Sequence, residues 1–295
     1  MSFPPQLVSP YSSSSMSDKV RIDLGEVQRT LLIPLYGRAK EYEKEHPLIK
    51  DKYAHDIVRQ IEFDFEAEFH QLPVQMSINS AIRAFHMDSA ISSFISKYPD
   101  ATIINIGAGL DTTFHRIDNG TIYWYDLDLP DTIALRRKLI PESNRNLFIG
   151  KSAFDTSWFH DIKQRRSKIF LLAAGVLVYL EESQIKQLFL ELLREFPGGE
   201  IMFDIYSKMF LWLRNHLFVS RTRKSNVVAN WRWGVNSAKA IARWSDKIEI
   251  IDEFPYYSRL DLKKYWDEKS LSFIKVVNVF NSIKMVHLRL GRTDS

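Results

Sequence analysis

Two glycines and two aspartates carry the first chemical suggestion in the chain. Gly107 and Gly109 close the β-branched run Thr102-Ile103-Ile104-Asn105-Ile106, and Asp126 and Asp128 close a second run that starts at Thr121. Glycines let the backbone approach a ligand closely, and an acid about 20 residues later, at the tip of the next strand, can accept ribose hydroxyls. The spacing predicts a strand, a tight turn, a short crossover and a second strand: a nucleoside-binding half-fold. At i and i+2 the two aspartates point the same way from a strand. Two aspartates in a row are also an ordinary solvated strand end.

Other elements must hold this pair in place. From Asp23 to Gln71 the apolar residues recur at helical spacing, with Pro34 and Pro47 as breaks, which predicts several helices. A helix over Ser77–Ser96 leads into the first strand, and another begins near Pro130. Strands are expected at Leu147–Ile149, Ile169–Ala174, Glu200–Tyr206, Ile248–Phe254 and Ile283–Leu290. Helices are expected from Leu180 to Phe196 and from Ser258 to Trp266. This alternation indicates an α/β fold with a doubly wound, mostly parallel sheet and a ligand crevice at the strands' carboxyl ends. The expected organisation is a disordered Pro- and Ser-rich arm over 1–17, a helical cap over 18–98, and a core over 99–295. A lid is expected at 207–247, inserted after the fifth strand, where an insertion overhangs the crevice.

Charge singles out the same lid. The 295 residues carry a net charge of +4. Between Ser207 and Lys247 nine cations face one acid, so the lid carries +8 and the rest of the chain −4. A local positive field attracts an acidic small molecule, a nucleic acid or an anionic surface. Nucleic acid is the less expected partner, because the cations are spread through an apolar, Trp-rich segment. No cysteine is present, which excludes disulfides, a thiol nucleophile and cysteine-based zinc sites and agrees with a cytoplasmic protein. The longest apolar run, Ile169–Leu180, is 12 residues and too short for a membrane span. His115 and His160 lack metal-ligand spacing, so no metal site is expected.

Two kinds of enzyme use a glycine turn followed by an acid: dinucleotide dehydrogenases and S-adenosylmethionine-dependent methyltransferases. Thr112 stands where the dinucleotide fingerprint wants a third small residue, which disfavours an NAD-dependent oxidoreductase. Three motifs then narrow the choice. Asn105-Ile106-Gly107-Ala108-Gly109-Leu110-Asp111-Thr112, Tyr125-Asp126-Leu127-Asp128-Leu129-Pro130 and Ala174-Gly175-Val176-Leu177-Val178-Tyr179-Leu180 resemble the signatures of the leucine carboxyl methyltransferase family. Thr30–Ala39 and Ser77-Ile78-Asn79 with Arg83 resemble its tetracenomycin polyketide synthesis O-methyltransferase-like branch. The resemblance runs from about Leu31 to the C-terminus, with the motifs in order.

The resemblance implies a seven-stranded class I methyltransferase fold, Rossmann-like, with S-adenosylmethionine as methyl donor. Arg83 would pair the methionine carboxylate, although a lone helix arginine is more often a solvated surface residue. Gly107, Ala108, Gly109 and Asp111 would admit the methionine portion. Asp128, with Asp126 and Leu129 beside it, would take the ribose, and Ser152 and Ala153 would border adenine. Two departures stand out: Ser152 lacks the charge common at its position, and Ala174 replaces a glutamate. Either another acid takes over from Ala174, its backbone suffices, or cofactor affinity falls. These departures keep open a catalytically weak or inactive binding protein of the same fold.

Methyl transfer from a sulfonium is an in-line displacement, so the enzyme must align the acceptor oxygen and exclude water. The expected acceptor is a carboxylate or phenolic oxygen of a small acidic or aromatic, polyketide-like molecule. Tyr36, Arg38 and Tyr179 are the candidate alignment groups. Trp231 and Trp233 are candidates for an apolar lid wall, with simple lid packing as the competing reading.

Overall fold

Alternate side chains of a strand face opposite sides of a sheet, so a strand buried at every position needs cover on both. That is the condition of β1 (Thr102–Ile106). It lies in a computed structural model that describes residues 19–22, 26–70, 74–163, 168–218, 231–279 and 282–291. The expected arm over 1–17 and the middle of the expected lid, 219–230, lie outside the described residues.

Among the described residues four helices precede β1: α1 (Glu26–Tyr42), α2 (Lys52–Gln60), α3 (Phe65–Phe69) and α4 (Val74–Lys97). Asp51 and Asp64 cap α2 and α3 by accepting from the N–H groups of Ala54 and Ala67. After β1 come α5 (Thr113–Ile117), β2 (Tyr123–Asp128) and α6 (Pro130–Leu139), followed by β3 (Asn146–Gly150) and β4 (Ile169–Ala173). Then follow α7 (Glu182–Glu195), β5 (Gly199–Tyr206), α8 (Lys208–Leu213), α9 (Ala238–Ala242), β6 (Ile248–Pro255), α10 (Glu268–Val279) and β7 (Ile283–Leu290).

The strands form one sheet in the order β3-β2-β1-β4-β5-β7-β6. β1 pairs in parallel with β2 on one side and β4 on the other, and β3 and β5 extend the sheet in parallel. β7 runs antiparallel between β5 and β6. The chain leaves β1 toward β2 and later returns beside it as β4. The order reverses there, and a doubly wound sheet places its ligand crevice at such a point, outside the carboxyl ends of β1 and β4.

Packing follows the parity of the strands. Ile103, Trp124, Phe170, Leu172 and Met202 pack under α4 and α10 on one face, whereas Ile104, Tyr125, Leu171, Ile201 and Phe203 pack under α7 and α9 on the other. A third cluster joins α1, α2 and α3 to α6 through Leu32, Leu35, Ile57, Phe65, Ile133 and Leu139. Among the described residues no helix is long and apolar enough to cross a membrane.

Two expectations fail in the cap and the C-terminal region. α1 runs unbroken through Pro34. Packing of α1 on α2 and α4 outweighs the proline, whose cost of roughly 3 kcal/mol in a helix interior is smaller than the burial of Leu32, Ile33, Leu35 and Ala39 along the same helix. The helix expected over Ser258–Trp266 is a single 3₁₀ turn, Leu262–Lys264, and the helix between β6 and β7 is α10, which begins after that segment.

Because Ile104 is fully buried in the α7 face, Ile104→Ala is expected to cost about 2–5 kcal/mol. Urea unfolding should show a lower midpoint with an unchanged m value.

Candidate active site

The turn after β1 is shaped by backbone that no side chain could share. Gly107 and Gly109 have φ of +68° and +49°. A Cβ on Gly107 would fall 2.4 Å from Cγ2 of Val176, in the loop after β4. The two loops at the reversal point are therefore in contact.

Beneath the turn lies a cluster of buried charge. Arg136 Nη1 donates to the carbonyls of Gly109 and Asp111 at 3.1 and 2.7 Å, and Arg38 Nη2 donates to that of Leu110 at 2.9 Å. Arg38 Nε also bonds Asp51 at 2.9 Å, and Asp51 further accepts from Thr112 Oγ1 and Arg116 Nη1, both at 2.6 Å. Arg116 grips Asp88 of α4 through Nε and Nη2, at 2.7 and 2.8 Å. Burial alone would raise the pKa of Asp51, but Arg116 and Arg38 outweigh it and bring it down to about 2. Asp51 is thus ionised at neutral pH. His115 stacks on Tyr53 at 3.7 Å, and burial, with Arg136 nearby, pushes its pKa down to about 4, so the ring is neutral.

Of the paired aspartates, one faces the crevice and one does not. Asp128 accepts from the N–H groups of Gly109 and Leu129, each at 2.7 Å, and burial raises its pKa. Asp126 is 0% exposed and accepts from Trp124, Asn105, Arg136 and Asn146 at 2.8, 3.0, 2.7 and 2.8 Å. Its oxygens are fully engaged, which corrects the expectation that it helps hold a ribose. Strand parity gave its side of the sheet, but two residues further back it lies inside the packing. Asp111 is tied to Asn105 and Thr113 at the edge of the turn.

On the other side of the crevice, Arg83 of α4 places Nη1 3.3 Å from Asp204 Oδ2. Asp204 also accepts from Gly175 N–H at 2.6 Å and from the Tyr206 hydroxyl at 2.8 Å. Burial opposes the charge of Arg83, but Asp204 and the surrounding tyrosines hold its pKa above the ordinary value. A Cβ on Gly175 would fall 2.2 Å from Arg83 Nη1. Asp204 was not anticipated, although an acid in the apolar run Met202-Phe203-Asp204-Ile205-Tyr206 was a signal for it. β4 and β5 pair Ala173 with Phe203, so Asp204 stands level with Ala174. A carboxylate thus lies one strand over from Ala174.

The remaining candidates separate. Ser152 and Ala153 follow β3, half-buried, with Ser152 Oγ accepting from Phe154 N–H at 3.2 Å. Tyr179 is exposed in the 3₁₀ turn Leu177–Tyr179 after β4. Tyr36 and Arg38 do not join it. The Tyr36 hydroxyl donates to Glu66 at 2.6 Å and its ring stacks on Phe65; burial and that bond push its pKa up to about 12. Arg38 is 5% exposed beneath the turn. As α1 continues past Pro34, Tyr36 faces α3 and Arg38 faces the glycine turn. Trp231 is half-buried, 4.4 Å from the Tyr206 ring and under the Arg214 guanidinium at 4.0 Å. Trp233 is 3% exposed inside the α7 and α9 cluster, so it is core and not lid wall.

A rim completes the crevice. Of the eight exposed large apolar side chains among the described residues, six follow the carboxyl end of a strand: Leu129, Phe154, Tyr179, Met209, Trp212 and Leu213. Apolar surface gathered at one edge around a few fixed polar groups is the usual form of a small-molecule site.

The sequence profile of the leucine carboxyl methyltransferase family matches residues 32–192. The chain is 28% identical over 221 residues to the tetracenomycin polyketide synthesis O-methyltransferase TcmP of Streptomyces glaucescens, covering 75% of this chain and 79% of that protein. It is also 28% identical over 238 residues to the S-adenosyl-L-methionine-dependent methyltransferase dpfgK of Gibberella zeae, covering 74% and 79%. A candidate methyltransferase from Thermobifida fusca YX shares the fold, with a TM-score of 0.55 at 13% identity over 90% of this chain and 95% of that one.

Asp51→Asn should cost about 3 kcal/mol at neutral pH, because it leaves two buried guanidiniums short of a partner. A carboxyl held below its unfolded pKa adds stability above that pKa and loses it as pH falls through the folded value, here about 2 kcal/mol between roughly pH 4 and pH 2. In urea unfolding, the gap between wild type and variant should therefore narrow as pH falls across that window.

Proposed function

The chain belongs to the leucine carboxyl methyltransferase family and is an S-adenosylmethionine-dependent methyltransferase, and we propose that it methylates a carboxylate oxygen of a small aromatic, polyketide-like acid. The crevice suits the donor on steric and electrostatic grounds. Gly107 and Gly109 flank only the methyl of Ala108 and let the backbone of the turn come close, Arg83 presents a fork that matches a carboxylate, and Asp128 keeps lone pairs beyond its two N–H bonds. Arg83 would pair the methionine carboxylate and Asp128 would accept the ribose hydroxyls. Leu129, Ser152 and Ala153 would border adenine. When bound, the cofactor supplies a methyl group activated by a sulfonium. The chain's part is to align the acceptor and exclude water.

The observation that carries the choice of acceptor is Arg214 stacked over Trp231. From Arg83, contacts lead through Asp204 and Tyr206 to Trp231 and then Arg214. One guanidinium thus stands at the donor end and a second at the lid end. Arg214 Nη1 donates to Asn215 Oδ1 at 3.1 Å, and burial lowers its pKa, so an anion placed beside it would favour its charged form. Asp128 and Asp204 are already engaged by N–H, O–H and guanidinium donors. A phenol would benefit from a base, whereas a carboxylate is ionised at neutral pH and needs none. Tyr179, on the rim, would help align the acceptor.

Calorimetry with S-adenosylhomocysteine tests the donor half. Arg83→Ala and Asp128→Ala should each weaken binding about 10- to 100-fold, and equal binding by all three proteins would refute the assignment. Labelled methyl transfer to a panel of aryl carboxylates and phenols tests the acceptor half. The product should release methanol in mild base, as an ester does and an aryl ether does not. Arg214→Ala should raise KM about tenfold while leaving S-adenosylhomocysteine affinity unchanged.

A further inference from the structure

A cavity of about 500 Å³ lies between α4 and the strands β5, β7 and β6. A recess of about 210 Å³ shares Phe94, Lys97, Tyr98 and Glu200 with it and continues to Lys168 and Arg289. Together they make a trench along the C-terminal half of α4, toward the sheet edge opposite the crevice. Glu200 near the start of β5 and His287 near the end of the antiparallel β7 both line it.

The sequence of α4 explains why the trench is open. Phe85, Ser89, Ser93 and Lys97 recur every fourth residue and share one helix face. The two serines stand where larger side chains would close the gap to the sheet. Ser89 donates to the carbonyl of Phe85 at 2.7 Å and Ser93 to that of Ser89 at 2.9 Å, so neither hydroxyl needs a partner from the trench. The walls are apolar and aromatic: Phe85, Phe94, Met202 and Phe254.

Charge is distributed unequally along it. At one end Arg259 lies 3.7 Å over Phe254 with both of its Nη atoms bonded to Asp252. Glu200 is engaged by His287 at 2.9 Å and by Arg289 at 3.4 Å. At the open end the ammonium groups of Lys97 and Lys168 lie 5.1 and 5.3 Å from the ring of Tyr98, and neither has a carboxylate partner among the described residues. Both acids of the lining are satisfied and two cations are not. The larger cavity therefore mixes an aromatic wall with polar groups, and the recess is polar, with the three cations Lys97, Lys168 and Arg289 against the single acid Glu200.

We propose that this trench is a second binding site, separate from the methyl-transfer crevice, for an amphiphilic carboxylate. The hydrocarbon part lies between Ser93 and Phe254, and the carboxylate sits at Lys97 and Lys168. The volume falls within the range of small-molecule sites, roughly 300–1,000 Å³. Removing the apolar part from water supplies the affinity, and the two lysines select the anion over the cation.

Decanoate is the probe, titrated calorimetrically against the full chain, with decyltrimethylammonium as the cation of matched tail. Wild type should bind decanoate and not decyltrimethylammonium. Lys97→Glu with Lys168→Glu changes only the exposed mouth and should weaken decanoate about tenfold, and Ser93→Phe should abolish binding by filling the trench. S-adenosylhomocysteine affinity should stay at the wild-type value in the charge-reversed variant and in the presence of decanoate. The proposal is overturned by absence of decanoate binding, by equal binding of the two amphiphiles, by indifference to charge reversal, or by competition with S-adenosylhomocysteine. Should Ser93→Phe fail to fold, the charge-reversed variant still decides.

Discussion

Three successive carbonyls, of Gly109, Leu110 and Asp111, fix the shape of the crevice, and each is held by a buried guanidinium. Flipping one of these peptides would take an acceptor from a desolvated cation, at a cost of about 2 kcal/mol or more. The guanidiniums are themselves fixed by carboxylates from elsewhere: Asp126 in β2, Asp51 at the start of α2, and Asp88 in α4 through Arg116. Buried ion pairs of this kind roughly offset the cost of taking their charges out of water, so their contribution is registry more than net stability. Because α1, α2, α4, α5 and α6 all meet at this cluster, the helical cap and the sheet share one polar centre, and the turn is its upper surface.

The second organising contact is the Arg83–Asp204 pair. Ala174 has no carboxylate, and the residue level with it on the neighbouring parallel strand, Asp204, has one. Function at a sheet edge depends on the position of a group and not on which strand carries it. Asp204 also accepts from Gly175 and Tyr206, so one side chain joins the ends of β4 and β5 and orients the guanidinium. Trp231 against Tyr206 extends this contact to the chain between β5 and β6.

Local pattern made most of this legible. β1, β2 and the glycine turn could be read from β-branched runs and two glycines, whereas Arg83, by residue type alone an ordinary solvated helix arginine, is singled out only through the family resemblance. What stayed hidden depended on depth or on distant neighbours. Parity placed Asp126 and Asp128 on one side, but only the register against Asn105 and Phe148 shows that Asp126 is inside. Pro34 read as a break because propensity is local, while the helix through it is held by tertiary packing. Asp204 lies 121 residues from the arginine it pairs with, and no spacing rule links them. Trp231 and Trp233 look alike in sequence, yet one borders the rim and the other fills the core.

Gly175 and Gly107 divide the molecule's freedom to change. Any side chain at Gly175 would strike the guanidinium of Arg83, and any at Gly107 would strike Val176, so each position is closed by a contact made where the strand order reverses. The exposed rim residues Met209, Trp212 and Leu213 carry no such restriction, and they follow β5 in a separate stretch of chain. Tolerance to substitution is thereby uneven: a new side chain meets fixed atoms at the turn after β1 and at the loop after β4, whereas along the exposed stretch after β5 it meets solvent.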